Sequence, residues 1–94
     1  MATTTTAVAQ KFLNKPLQET KELEDMPGVG DAISKNLRSA NIGTPIALMG
    51  QFFLLNRDEK KMTDWLKDVC AIEKQYIPKI VEPLAEKAKM LVTL

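Results

Sequence analysis

The sequence predicts an all-α fold, a compact bundle of about five short helices in a single domain. Three observations predict it. No stretch alternates polar and apolar residues as a half-buried strand does. Apolar residues instead recur at helical spacing, Ile33 with Leu37, and Met62 with Trp65, Leu66 and Val69. Proline, glycine or an Asn/Asp turn separates these segments at short intervals. Ninety-four residues suffice for one domain of modest stability, which self-association would raise.

The elements follow in order. Residues 1–17 read as an arm and a short helix from about Thr5 to Leu13, capped by Thr6, with Val8, Phe12 and Leu13 on one face. Lys15-Pro16 ends it. Residues 18–42 read as two helices around a hard break. Gln18 to Asp25 holds a turn or two of helix, Pro27-Gly28-Val29-Gly30 interrupts, and Asp31 to Ala40 follows until Asn41 and Gly43. Residues 44–70 read as two more helices. Thr44-Pro45 is a cap with a first helical residue, and Asp58 caps the helix that runs to about Cys70 after the turn at Asn56-Arg57. Residues 71–94 form the last segment. Pro78 and Pro83 argue against one straight helix there, so either a kink or a helix from near Glu82 to Leu91 is expected.

Composition removes several function classes. With 13 basic and 12 acidic residues the net charge is +1, so a nucleic-acid partner must be held by a few local contacts, not by a broad positive field. One cysteine, Cys70, excludes an intrachain disulfide and fits a buried small hydrophobe. Without histidine there is neither a zinc site nor histidine-dependent catalysis. Neither a metal nor a cofactor is expected, and the chain is not expected to be an enzyme. The acidic residues Glu19, Glu22, Glu24 and Asp25 have no spacing that demands a cation, and Glu82, Glu86, Lys87 and Lys89 read as a solvated helix face. Apolar runs are too short to span a membrane, and the start lacks signal-peptide features, so a soluble intracellular protein is expected.

The chemistry concentrates at Met26 to Lys35. A hydrophobe, then Gly28-Val29-Gly30, then an amphipathic helix is the pattern of a helix–hairpin–helix. Glycine at 28 and 30 permits positive φ and removes the Cβ that would keep a phosphate from the backbone. Met26 and Val29 are expected to pin the hairpin to the core. The helix that starts at once directs its free N–H groups and positive dipole end at the same spot, which binds an anion without strong charge. Lys35, one turn in, reaches the same phosphate or its neighbour. Asp31 cuts against an anion there and is expected to cap the helix and point away. Phosphate contacts fix position and carry no base information, so the segment reads either as a sequence-independent phosphate site or as a simple interhelix turn, where Gly and Pro are the usual punctuation. A dinucleotide fingerprint does not fit, because no strand precedes and Ile33 stands where the third glycine belongs.

Downstream, Gly50-Gln51-Phe52, Asp58-Glu59 and Trp65-Leu66-Lys67-Asp68-Val69-Cys70 follow the hairpin in fixed register. Together these motifs resemble the barrier-to-autointegration factor family. The resemblance implies a SAM-like helical homodimer in which each subunit binds one duplex, so that the dimer bridges DNA in chromatin or DNA compaction. It implies phosphate contacts at Gly28, Val29, Gly30, Ala32, Ile33 and Lys35, with a second basic patch at Lys74 and Gln75. Thr5 and Thr6 occupy the positions of the family's phosphorylated residues, where added phosphate repels DNA. Where the family carries a lysine in the arm this chain has Val8, and Asn36 stands at a commonly basic position. For a eukaryotic chain it further implies histone, lamin and LEM-domain partners, and residence in nucleus and cytoplasm. Asn56, in place of a usual lysine, weakens the LEM-domain expectation.

A second surface is expected on the helix from Thr44. Ile46 to Met49 and Phe52 to Leu55 are all apolar, and a helix apolar all round must be covered on more than one side. Met49, Gly50, Phe52, Phe53, Leu54 and Trp65 are the expected dimer interface, with Gly50 allowing close approach. The rival reading keeps the fold and the dimer but makes it a protein-interaction module with weak or no DNA binding, as near-neutral charge permits.

Overall fold

The computed structural model describes residues 7–92, and Thr5 and Thr6 lie outside them. Five helices form, α1 (Ala7–Asn14), α2 (Asp31–Ser39), α3 (Pro45–Leu54), α4 (Glu59–Asp68) and α5 (Ile77–Val92), with no strand among the described residues. Both α1 and α4 pack against α5. None of these helices is long and apolar enough to cross a membrane. The stretch expected to hold a turn or two of helix before the hairpin condenses into two single 3₁₀ turns, Leu17–Glu19 and Leu23–Asp25. Pro16 and Pro27 bracket it, and the fully buried Leu23 anchors its second turn.

Local chemistry sets the boundaries. Thr44 Oγ1 accepts the Ala47 N–H at 3.1 Å, with Pro45 at the first helical position. Asp58 Oδ1 accepts the Lys61 N–H at 2.9 Å. Each removes an orphan donor from a helix start. Left-handed residues close the helices. Asn41 (φ 67°) ends α2, Asn56 (φ 59°) and Arg57 (φ 58°) end α3, and Ala71 (φ 57°) follows α4. Gly43, expected to share in the stop after α2, does not take positive φ.

Phe12, Leu23, Leu37, Leu48, Phe52, Met62, Leu66, Ile77, Ile80 and Leu84 make the centre of one core, each at most 1% exposed. Burying a side chain of this size is worth about 1.5–3 kcal/mol. The last segment differs from expectation. It is a single helix, with Pro78 in the first turn, where an N–H has no intrahelical partner anyway, and Pro83 inside. What holds it is its buried face, Ile77, Ile80, Val81, Leu84 and Ala88.

Lys87 lies on that face too and is not solvated. Its ammonium donates to the carbonyls of Leu13 at 3.0 Å and Lys15 at 2.6 Å, and stands 5.8 Å from the centre of the Phe12 ring. A cation there satisfies carbonyls that the end of α1 leaves open. Burial holds its pKa below the usual lysine range.

Candidate nucleic-acid interface

The hairpin is pinned from below. Met26, Pro27 and Val29 are buried, and the Val29 N–H donates to Met26 O at 3.2 Å. Val29 was expected among the phosphate contacts. With its side chain buried and its amide engaged, it holds the hairpin, and neither group is free for a phosphate.

The two glycines divide the work that the sequence assigned to both. Gly28 takes φ +79°, and a Cβ built on it would stand 2.9 Å from Lys79 O and 3.1 Å from Lys79 Cβ. Both its conformation and its closeness to α5 exclude a side chain. Gly30 has φ −99° and ψ −170°, an extended conformation open to any residue, so the expectation of positive φ fails there. A Cβ on Gly30 would meet nothing within 4 Å. Nothing among the described residues requires glycine at position 30.

Gly30 also begins α2, and no side chain caps that start. The expectation that Asp31 caps is corrected. It is the first helical residue and is exposed. The first main-chain bond belongs to Ser34, whose N–H donates to Gly30 O at 2.9 Å. The N–H groups of Gly30, Asp31, Ala32 and Ile33 therefore have no acceptor among the described residues. Gly30, Asp31 and Ala32 are exposed, while Ile33 is half-buried against the core.

A polar link ties the two halves of the hairpin. Ser34, 1% exposed, sets its Oγ 2.9 Å from Glu24 Oε2 and 3.1 Å from Asp31 O, and accepts from Arg38 at 3.1 Å. Arg38 pairs with Glu24 at 3.5 Å. A main-chain hydrogen bond, then the Ser34 hydroxyl and the Arg38 guanidinium, hold the Glu24 carboxyl below the usual range. Among the described residues no carboxylate cluster has the arrangement of a metal site.

The second patch adjoins the first. Asn36 Nδ2 donates to Ala71 O at 3.4 Å, tying α2 to the loop that leads into the turn Lys74–Tyr76. That turn runs directly into α5, whose third residue, Lys79, occupies the space a Gly28 side chain would need. Lys35, Lys74 and Gln75 are exposed around this junction. Lys79 belongs to the same neighbourhood and was missed, because nothing in the sequence links residue 79 to residue 28.

The second surface is narrower than expected. Met49 and Phe52 are 2% and 1% exposed within the subunit, since the period of α3 turns them inward with Leu48. They are core residues and supply no free face. What stays uncovered is Ile46 (51% exposed), Gly50 and Leu54 (77%), with Phe53 and Trp65 half-buried. Ile46 was not among the expected interface residues. Cys70 is buried, which pushes its thiol up to about 11.

A family model described as barrier to autointegration factor matches residues 3–91. The chain belongs to the barrier-to-autointegration factor family. Among its relatives, the barrier-to-autointegration factor of Mus musculus is 34% identical over 67 residues, 71% of this chain and 74% of the relative. The Homo sapiens protein is 31% identical over the same shares. The Drosophila melanogaster protein is 28% identical over 61 residues, 65% of this chain and 67% of its own. Membership in the barrier-to-autointegration factor family agrees with the all-helical fold of the described residues, and the match spans both the hairpin and the α3–α4 face.

Proposed function

We propose that this chain is an architectural, non-enzymatic member of its family that binds double-stranded DNA through phosphates without reading sequence. As a homodimer it bridges two duplexes. The observation that carries this reading is the start of α2. Among the described residues four consecutive amides lack acceptors, and nothing requires the residue that opens them to be glycine. A phosphodiester oxygen supplies both the missing acceptor and the need for space. Gly28, Gly30, Ala32, Ile33 and Lys35 form this contact, with Lys74 and Gln75 beside it and Val29 holding the hairpin.

The homodimer is formed through the exposed stripe of α3, Ile46, Gly50 and Leu54, with Phe53 and Trp65 at its edge. The free stripe and family membership support this reading. Thr5 and Thr6 are the proposed phosphorylation positions, and DNA in the nucleus and cytoplasm is the proposed place of action. Histones and lamins are the proposed further partners, with LEM-domain proteins disfavoured by Asn56. The net charge of +1 favours one second reading, a family-like interaction dimer with weak or no DNA binding.

Fluorescence anisotropy on two unrelated duplexes separates the readings. Equal affinities, falling with salt at a slope of about −0.9 per phosphate contact, support non-specific binding. Gly30→Glu is expected to abolish the signal from a folded protein, since a Cβ there meets nothing within 4 Å among the described residues. No binding to either duplex by the unaltered chain sinks the DNA reading and leaves the interaction dimer.

A further inference from the structure

We propose that Lys79 is a phosphate-contacting residue of the DNA face, delivered to the hairpin by its own main chain. The inference rests on the DNA-binding reading above and adds a residue that lies outside both the hairpin and the Lys74-Gln75 patch.

Position is the first observation. The missing side chain of Gly28 leaves room for Lys79 itself, with its carbonyl oxygen at 2.9 Å and its Cβ at 3.1 Å from where a Gly28 Cβ would stand. The side chain of Lys79 thus leaves α5 next to the hairpin, and Lys79 is exposed. Gly30 is two residues beyond Gly28, at most about 7 Å further along the chain. An extended lysine side chain covers that span to a phosphate seated on the free amides.

The contact is also built. Pro83 lies four residues after Lys79 inside α5 and has no N–H, so the Lys79 carbonyl loses the donor that a regular helix gives it. That carbonyl is the one set against Gly28. The proline that was expected to break the helix instead prepares the seat of the hairpin.

Charge completes the case. Among the described residues the ion pairs are Arg38–Glu24 and Lys60–Asp64, so Lys79 forms none, although Glu82 follows it by three residues on the same helix. The first turn of α5 carries no acidic residue. In a chain of net charge +1, one ammonium that reaches the four free amides is a large part of the local field.

The test is a salt titration of duplex affinity for the full chain, Lys79→Gln, Lys79→Arg and Lys60→Gln. Lys60 is exposed on α4 and gives the same loss of charge away from the hairpin. Lys79→Gln is expected to lower affinity several-fold on unrelated duplexes alike and to reduce the slope magnitude by about 0.9. Its thermal midpoint stays unchanged, because the seating carbonyl remains. Lys79→Arg is expected to retain the slope, and Lys60→Gln to match the unaltered chain. If Lys79→Gln behaves as Lys60→Gln does while the unaltered chain binds, the role of Lys79 is overturned and the DNA reading stands. If the unaltered chain does not bind, both fall together.

Discussion

The ammonium of Lys87, on the last helix, donates to the main-chain carbonyl of Lys15 at 2.6 Å and so fastens the N-terminal arm to the core. A second bond, to Leu13 O at 3.0 Å, shares the same charge. Lys87→Met keeps the unbranched apolar stem of the side chain and removes both. Hydrogen bonds to a charged group contribute about 1.5–3 kcal/mol net, part of which is offset here by the cost of burying the ammonium. The expected loss is about 1–2 kcal/mol in urea unfolding. An unchanged midpoint shows that the arm does not depend on Lys87.

Much of the fold is legible in the sequence where a residue has one job that follows from its own chemistry. Thr44 and Asp58 cap because a short polar side chain just before an apolar helix has an N–H to accept. The hairpin is legible because Met26 and Val29 flank glycines. Other features depend on partners distant in sequence. Ile80, Leu84, Lys87 and Ala88 share one helical stripe, yet the charge of Lys87 and its charged neighbours made it read as part of a solvated face. Only the open carbonyls at the end of α1 settle that conflict. Gly28 and Gly30 look alike in sequence and differ in φ, because Lys79 crowds one and nothing crowds the other. Met49 and Phe52 looked available because an apolar helix does not reveal which side the core takes.

Burial raises the Cys70 thiol from 9.0 to about 11. An acid whose folded pKa is raised adds stability below its unfolded pKa, and that stability is lost as pH rises through the folded value. Thiolate absorbance should therefore appear with a midpoint near 11 in the native protein and near 9 in urea. Native titration near 9 shows that the thiol is solvated.

Leu54, at 77% exposure, is the most open of the large apolar side chains on α3. Leu54→Glu removes no core contact and sets a charge in the proposed dimer face. A change in stability under 0.5 kcal/mol per subunit is not expected if the dimer is intact beforehand, since dissociation removes linked stability of about 3 kcal/mol at a hundredfold excess over Kd. Sedimentation should show a dimer become a monomer at micromolar concentration. A dimer that survives the substitution moves the interface elsewhere.

Ala71 holds φ 57° after α4. A left-handed conformation costs a Cβ-bearing residue about 1–2 kcal/mol. Glycine removes that strain but adds about 0.4–1 kcal/mol of unfolded-state entropy. Ala71→Gly should thus stabilise by about 0.5–1 kcal/mol. Destabilisation in thermal unfolding shows that position 71 is unstrained.

The paired variants Gly28→Ala and Gly30→Ala separate folding from binding. A methyl at Gly28 meets Lys79 O at 2.9 Å in a left-handed conformation, so stability falls by about 2 kcal/mol or more. At Gly30 a methyl meets nothing within 4 Å, so unfolding is unchanged or slightly harder. The decisive measurement is duplex affinity of Gly30→Ala at fixed salt. Weakening by about tenfold, the equivalent of one charge-assisted hydrogen bond, is expected from a fully folded protein. Unaltered affinity in that folded variant shows that no phosphate comes to the start of α2.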